Sequence, residues 1–172
     1  MMMGTNYTGH YLFELVMNIG TKQIVIVSSN AYAFTTPGQN YFTGKGNPMN
    51  LYERSKLATL YFMQELHEQF SSAGLHVSAV HPGAVSTNLG KTPQNERFGK
   101  LVYGILTPFF QTPAEGAEST ILAVRDKEKY AGHYMHAGKD IPLRPHGESY
   151  YVRKQLIRET MDELNLNTFM ER

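Results

Sequence analysis

The sequence predicts an α/β fold in which helices cover both faces of a parallel sheet. Short apolar runs without alternation suit strands that are buried on both faces, and segments with helical spacing separate these runs. The predicted order is helix, strand, helix, strand, helix, strand, helix, which implies crossover connections between parallel strands. The 172 residues suit a single domain.

The first half of the chain is predicted to contain two helices and one strand. Apolar residues at helical spacing predict a helix over residues 7–18, and a β-branched run predicts a buried strand over residues 23–28. Residues 30–51 are rich in glycine and proline, and we expect a loop there. Residues 52–70 lack both residue types and predict a long helix that ends near Gly74.

The second half continues the same alternation. Strands are predicted over residues 77–80 and 132–137, and a terminal helix over residues 147–164. The helix predicted over residues 112–125 begins with Thr-Pro, and proline suits the first helical position. Residues 91–111 form a long excursion between two of these elements.

Composition and charge exclude several classes of function. The formal net charge is +1 and the basic residues are scattered, so no nucleic-acid partner is expected. The absence of cysteine excludes disulfides and cysteine nucleophiles, and the histidine spacing gives no reason to expect a metal. The apolar stretch at residues 101–110 is too short to cross a bilayer, which needs about 20 residues. We expect a location in the cytoplasm or at the periphery of an intracellular membrane.

Tyrosine and lysine have the Y-x-x-x-K spacing three times, at Tyr41/Lys45, Tyr52/Lys56 and Tyr150/Lys154. Only the second pair opens a predicted helix that is the next regular element after a strand ending in Ser-Ser. On a helix these two positions share one face, and a lysine ammonium beside a phenol lowers the pKa of that phenol. Such a phenol can exchange a proton with a substrate oxygen near neutral pH. On spacing alone, an ordinary helix start with a solvated lysine is the alternative.

Further polar residues follow the predicted strands, where ligands of parallel sheets bind. Ser29 follows the first strand and can hydrogen-bond the same substrate oxygen as the tyrosine. After the second strand, Gly83 lets the backbone approach a ligand closely, and Thr87 can donate to a polar cofactor group. Asn6 opens the first predicted helix. Taken singly, Ser29 suits a strand-end cap and Asn6 a helix cap.

Together these motifs resemble the classical short-chain dehydrogenase/reductase family, and especially its retinol-dehydrogenase-like branch. The motifs that carry the resemblance are N-x-x-G at 6–9, V-S-S at 27–29, Y-x-x-S-K at 52–56, H-P-G-x-V-x-T at 81–87, T-P-A-E-G-A at 112–117 and G-H-Y at 132–134. The resemblance implies one partial catalytic domain over residues 1–172. That domain would be the C-terminal part of a Rossmann-like doubly wound sheet, with three parallel strands and flanking helices.

The resemblance also implies an enzyme that interconverts an alcohol and a carbonyl with NAD or NADP. Tyr52 would be the general acid/base, Lys56 would lower its pKa and contact the nicotinamide ribose, and Ser29 would orient the substrate oxygen. Asn6 would support a water that links the lysine to bulk solvent. The residues implied in cofactor binding are Tyr52, Lys56, Pro82, Gly83, Val85 and Thr87.

Two departures from the family pattern narrow this prediction. The separation of Ser29 and Tyr52 is longer than in most of the family and resembles that of the retinol-dehydrogenase-like branch. The glycine-rich T-G-x-x-x-G-I-G turn and the N-N-A-G segment are absent, and Met1-Met2-Met3-Gly4 leads directly into a helix-like segment. We therefore expect a fragment or truncated form whose own affinity for the cofactor is weak.

Apolar residues in the excursion between the second strand and the third helix bear on the substrate. Residues about 91–111 correspond to the family's variable substrate lid. Their apolar content favours a small lipophilic substrate such as a retinoid, steroid or fatty aldehyde, and packing of the lid on itself is an equal alternative.

We expect a homodimer through helices 7–18 and 52–70, and the sequence gives no support for peripheral membrane contact. A non-catalytic dimerising or interaction module derived from the family is the alternative function, and a sugar-nucleotide epimerase is less favoured. A serine hydrolase is unsupported, since no G-x-S-x-G elbow occurs.

Overall fold

The computed structural model describes residues 2–9, 22–35, 48–83 and 112–164. The α-helices of these ranges are Met2–Asn6 (α1), Pro48–Phe70 (α2), Pro113–Arg125 (α3) and Tyr150–Glu163 (α4). The strands are Gln23–Val27 (β1), His76–His81 (β2), Tyr134–His136 (β3) and Lys139–Asp140 (β4). Short 3-10 helices lie at Asn30–Phe34, Ser71–Ala73 and Pro145–Glu148.

The strands form one sheet in the order β1-β2-β3-β4, in which the first three are parallel and β4 is antiparallel to β3. The predicted α/β fold with three parallel strands is thus confirmed. The sequence did not predict β4, which follows β3 through Ala137 and Gly138. Both of these residues have positive φ values, 48° and 71°, which is the backbone of a tight two-residue hairpin.

Helices α2 and α3 cover opposite faces of the sheet. On one face, Ile26 and Val77 pack in a core with the buried side chains of α2. On the other face, Val80 and Met135 pack with Ala123 of α3. Alternate residues of each strand therefore meet different helices, which explains why the strands read as continuous apolar runs.

The predicted loop over residues 30–51 is wrong at both of its ends. Its first residues form the 3-10 helix Asn30–Phe34, and α2 begins at Pro48 rather than at Tyr52. Proline is tolerated in the first helical turn, where its missing N–H would have had no partner in the helix. Tyr52 therefore lies in the second turn of α2. Residues 36–47 lie outside the described part of the chain.

The remaining helices and strands begin and end at, or within a few residues of, their predicted boundaries. Helix α3 begins and ends as predicted, because Thr112 and Glu115 form a capping box around the proline. The terminal helix begins at Tyr150, where the Ser149 hydroxyl caps it, and not at residue 147. Strand β3 begins at Tyr134, since Gly132 has a φ of 81° and cannot continue an extended strand.

The N-terminal segment packs onto α2 and α4. Helix α1 ends at Asn6, Tyr7 lies in a turn, and Thr8 and Gly9 have 3-10 helical backbone. The described start of the helix predicted over residues 7–18 is therefore not α-helical, and residues 10–18 lie outside the described part of the chain. Tyr7 is fully buried, with its ring edge-on to Phe62 at 6.2 Å between centroids. Its hydroxyl shares a hydrogen bond of 3.0 Å with Thr160 of α4.

Most apolar side chains of α2 are buried against other parts of the same chain. Leu57, Leu60, Phe62 and Leu66 are at most 1% exposed. The described part of α2 therefore leaves less apolar surface for a second copy than its sequence suggests, and the homodimer stays a prediction. Of the helices in the described ranges, none has the length and apolarity to span a membrane.

Candidate active site

The candidate site lies where β1 and β2 end, beside the second and third turns of α2. The Lys56 amine donates a hydrogen bond to the Val27 carbonyl oxygen, with 3.0 Å between the two atoms. In return, the Ser28 hydroxyl donates to the Lys56 carbonyl oxygen at 3.0 Å, and the Thr59 hydroxyl donates to the Ser28 oxygen at 3.1 Å. These bonds join the end of β1 to the helix that carries the predicted catalytic pair.

Ser28 helps to hold the site together, a role that the sequence did not predict. Its side chain is 2% exposed and its hydroxyl partners are both on α2, so it fixes the register between the strand end and the helix. The V-S-S motif contained the signal, but only the second serine was given a role. Buried hydroxyls satisfied in this way hold neighbouring elements in one arrangement.

Tyr52 and Lys56 lie on one face of α2, as their spacing predicts. The Lys56 nitrogen is 5.6 Å from the centroid of the Tyr52 ring, within the range of a cation–π contact. Burial lowers the pKa of Lys56, because removing water disfavours the charged ammonium. Among the residues that the structure describes, no carboxylate lies within ion-pair distance of this amine.

Ser29 caps the 3-10 helix that follows β1. Its hydroxyl oxygen accepts a hydrogen bond from the Ala31 N–H at 3.2 Å, so the strand-end cap considered from sequence is present. Since a serine hydroxyl can accept and donate together, its proton stays available for a substrate oxygen. The cap and the predicted substrate-orienting role are therefore compatible.

The Ser29 segment is held from β3 by a residue whose role the sequence did not reveal. The buried Tyr134 hydroxyl donates to the Asn30 side-chain oxygen at 2.9 Å. Burial, followed by the charges of Tyr32 and Tyr52, raises the pKa of Tyr134, so this phenol stays protonated and acts as a donor. Tyr32 stacks edge-on against the same ring at 5.7 Å. The sequence motif G-H-Y contains this tyrosine, but the motif alone did not predict its contact with Asn30.

Asn6 reaches α2 next to the catalytic pair. Its side-chain amide donates to the Ser55 hydroxyl oxygen at 3.0 Å, and that hydroxyl donates to the Tyr52 carbonyl oxygen at 2.7 Å. Ser55 is fully buried, so the two bonds attach the end of α1 to the second turn of α2. The predicted water held by Asn6 stays a prediction.

The end of β2 carries a pair of histidines and the expected glycine. Gly83 has a φ of 81°, a conformation that favours glycine, and its N–H donates to the His81 ring nitrogen Nδ1 at 3.3 Å. The His81 ring stacks on His136 with 4.6 Å between centroids. Burial, aided by the charges of His136 and Lys56, lowers the pKa of His81 to about 4. Val85 and Thr87 lie outside the described residues.

Neither of the other two tyrosine–lysine pairs has the surroundings that the structure shows for Tyr52 and Lys56. Tyr150 is 63% exposed, and the Lys154 amine is ion-paired with Glu65 at 2.6 Å and with Glu68 at 3.2 Å. Burial opposes the charge of Lys154, but its hydrogen bonds to both carboxylates outweigh burial and raise its pKa. Lys154 thus joins α4 to α2 as part of a salt-bridge network. The pair Tyr41/Lys45 lies outside the described residues.

No protein-family model matches the chain. It is 30% identical over 169 residues to retinol dehydrogenase 14 of Mus musculus, an alignment that covers 91% of this chain and 50% of that protein. It is also 30% identical over 176 residues to retinol dehydrogenase 13 of Mus musculus, covering 93% and 52%. The identity with the short chain dehydrogenase pigC of Monascus ruber is 29% over 147 residues, covering 81% and 43%. The chain therefore spans about half the length of the curated relatives it matches.

A solved structure supports the fold. The chain matches the crystal structure of an uncharacterized protein from Mycobacterium paratuberculosis with a TM-score of 0.59 and 23% identity, covering 93% of this chain and 57% of that one. The sequence relatives, the parallel sheet and the motif positions agree with one another. The chain belongs to the short-chain dehydrogenase/reductase family and is retinol-dehydrogenase-like.

Proposed function

We propose that this chain carries the proton-transfer and substrate-orienting residues of an NAD(P)-dependent oxidoreductase that interconverts an alcohol and a carbonyl. The observation that supports this proposal most strongly is the placement of Tyr52 and Lys56. Both lie on one helix face, and the lysine is fastened to the end of β1 beside Ser29. The segments that carry the phenol, the amine and the hydroxyl thus adjoin the carboxyl end of β1, and ligands of parallel sheets bind at such strand ends.

The described residues fit the nicotinamide end of a dinucleotide. The Lys56 amine has three N–H donors and uses one on Val27, which leaves two for ribose hydroxyls. Gly83 presents backbone without a side chain at the end of β2. When bound, NAD or NADP would accept or supply the hydride. The pyrophosphate end has no matching glycine-rich turn in this sequence, so its binding requires residues from outside this chain.

Within this proposal, Tyr52 donates its phenolic proton to the carbonyl oxygen during reduction and removes it from the alcohol during oxidation. A positive Lys56 beside the ring stabilises the phenolate that forms when the proton leaves. Ser29 donates a hydrogen bond to the same substrate oxygen and so fixes its position. Asn6 and Ser55 hold the backbone of the Tyr52 turn in place.

The proposed substrate is lipophilic. Large apolar side chains are exposed on three segments that flank the site: Val27 at the end of β1 (50% exposed), Phe34 at the end of the 3-10 helix (77%) and Met49 in the first turn of α2 (60%). Exposed apolar surface beside a polar site is typical of a binding region for an apolar ligand.

An activity assay tests this function directly. The chain is extended with the part of retinol dehydrogenase 14 that lies outside the matched half, and reduction of NAD or NADP is followed by its absorbance with alcohols of increasing chain length. We expect turnover, with a KM that falls as the apolar chain lengthens. Equal KM values for short and long alcohols would contradict the lipophilic substrate, and no turnover with any alcohol or aldehyde would contradict the oxidoreductase.

A further inference from the structure

The 3-10 helix Asn30–Phe34, which follows Ser29, is anchored at its middle by Tyr32. This tyrosine is 3% exposed, and its hydroxyl oxygen accepts a hydrogen bond from the Arg144 N–H at 2.8 Å. Its carbonyl oxygen accepts another from the His146 Nε2 at 3.1 Å. Two bonds from the segment between β4 and α4 therefore fix the middle of this helix, and the position of Ser29 depends on what holds its beginning.

The beginning of the same helix is held through Asn30. Tyr134 of β3 is 2% exposed, and its hydroxyl donates a hydrogen bond to the Asn30 side-chain oxygen at 2.9 Å. A buried phenol keeps such a partner, because an unpaired hydroxyl in a protein core costs free energy. Asn30 itself is exposed, so this bond ties a surface residue next to Ser29 to the core of the chain.

The Ser29 hydroxyl takes its geometry from the residues around Asn30. The Ser29 side-chain oxygen accepts from the Ala31 N–H at 3.2 Å, and the Ser29 carbonyl oxygen accepts from the Tyr32 N–H at 3.1 Å. Both bonds close around Asn30, so a displacement of Asn30 changes the position of the serine relative to both partners. Because the serine oxygen accepts from Ala31, the direction left for its own O–H depends on that bond.

We propose that Tyr134 is a positioning residue: acting through Asn30, its hydroxyl fixes the direction in which Ser29 offers its proton to the substrate oxygen. This inference rests on the proposed function of Ser29. Tyr134 needs no contact with the substrate, since it sets the geometry of the group that makes that contact. A donor held in the productive direction before the reaction begins contributes more to the rate than one that must reorient.

Amide hydrogen exchange in the 172-residue Tyr134→Phe variant tests the contact without any cofactor. The substitution removes the hydroxyl and keeps a ring beside Tyr32. The amides of Ala31 and Tyr32 should exchange about three- to tenfold faster, which corresponds to the loss of one hydrogen bond. The Arg153 amide, which bonds to the Ser149 carbonyl oxygen at the start of α4, should exchange at the parent rate. Unchanged exchange at Ala31 and Tyr32, or faster exchange at all three amides, would overturn the inference.

A double-mutant cycle tests the role in the reaction, in the extended, cofactor-binding form of the chain. Tyr134→Phe should lower kcat about three- to tenfold and leave the Kd for the cofactor unchanged. In a Ser29→Ala background the same substitution should lower kcat no further, because the hydroxyl through which Tyr134 acts is gone. Equal losses in the two backgrounds would show that Tyr134 acts independently of Ser29 and would overturn the inference.

Two further variants complete the design. Asn30→Leu removes the acceptor oxygen, so it should repeat the kinetic effect of Tyr134→Phe, and the two changes combined should cost no more than either one. Tyr130→Phe is the control, since Tyr130 is 8% exposed in the core on the other face of the sheet, and kcat should equal that of the parent. No turnover in the extended parent would contradict the proposed function, whereas hydrogen exchange tests the hold on Ser29 separately.

Discussion

Replacing Glu65 with alanine is expected to destabilise the chain strongly. Glu65 is 1% exposed on α2, and its carboxylate oxygens contact the Lys154 amine at 2.6 Å and the Arg153 Nε at 3.4 Å on α4. Gln69 donates to it as well, at 2.7 Å. The substitution removes the only acid of the described network that is itself buried. It leaves the buried Arg153 with Glu68, whose side chain is 45% exposed, as its acidic partner in that network.

The size of the effect follows from the burial of each partner. Breaking a buried ion pair costs about 3–5 kcal/mol, because the remaining charge loses its compensation. Three features reduce this cost. The Lys154 side chain is 28% exposed, the Arg153 contact at 3.4 Å lacks hydrogen-bond geometry, and both cations retain Glu68. We therefore expect a loss of about 2–4 kcal/mol, equivalent to roughly 5–15 °C in Tm for a chain of this size.

Urea unfolding followed by circular dichroism measures this change, with Glu68→Ala as the matched control. Glu68 contacts the same two cations, but its side chain is 45% exposed, and we expect its removal to cost below about 1 kcal/mol. A loss at Glu65 that is no larger than the loss at Glu68 would refute the view that burial sets the strength of this network.

Three further predictions concern pH, the cofactor and association. The pKa of His81 is lowered from 6.5 to about 4 in the folded chain, so as the pH falls the unfolded chain takes up the proton first. The free energy of unfolding should therefore decrease by about 2 kcal/mol as the pH falls from 6.5 to 4, after allowance for partial solvation of the ring. His81→Gln should flatten the stability curve from urea unfolding in that range, and an unchanged slope would contradict the assigned burial effect. By titration calorimetry, the 172-residue chain alone should bind NADH and NADPH more weakly than micromolar, because its sequence offers no glycine-rich turn for the pyrophosphate; micromolar binding together with oxidation of a long-chain alcohol would contradict this. Self-association through the helices predicted at 7–18 and 52–70 should appear in sedimentation velocity, whereas a monomer throughout the micromolar range would exclude it.

The features that the sequence predicted correctly are those with local causes. Helix α3 was located at both ends because its proline and its capping residues lie next to each other in the chain. Strand β1 followed from one β-branched run. The beginning of α2 was missed because Pro48 was taken as a loop residue, although proline is equally at home in a first helical turn.

The contacts that the sequence could not reveal join residues far apart in the chain. Ser28 bonds to residues about 30 positions later, and Tyr134 bonds to Asn30 from more than 100 positions away. Strand β4 has two residues and exists only because the turn before it permits pairing with β3. Such features depend on how the elements pack, and a single sequence carries no periodic signal for them.

The role of Tyr52 is tested most directly by the turnover of Tyr52→Phe in the extended, cofactor-binding form of the chain, with Tyr150→Phe as the control. The control residue also precedes a lysine by four positions, but it is 63% exposed on α4. Loss of the general acid/base should lower kcat by about 10²–10⁴-fold while the Kd for the cofactor changes little, and the control should match the parent. A Tyr52→Phe variant with near-normal kcat would show that the proton comes from another group and would contradict the proposed function of this site.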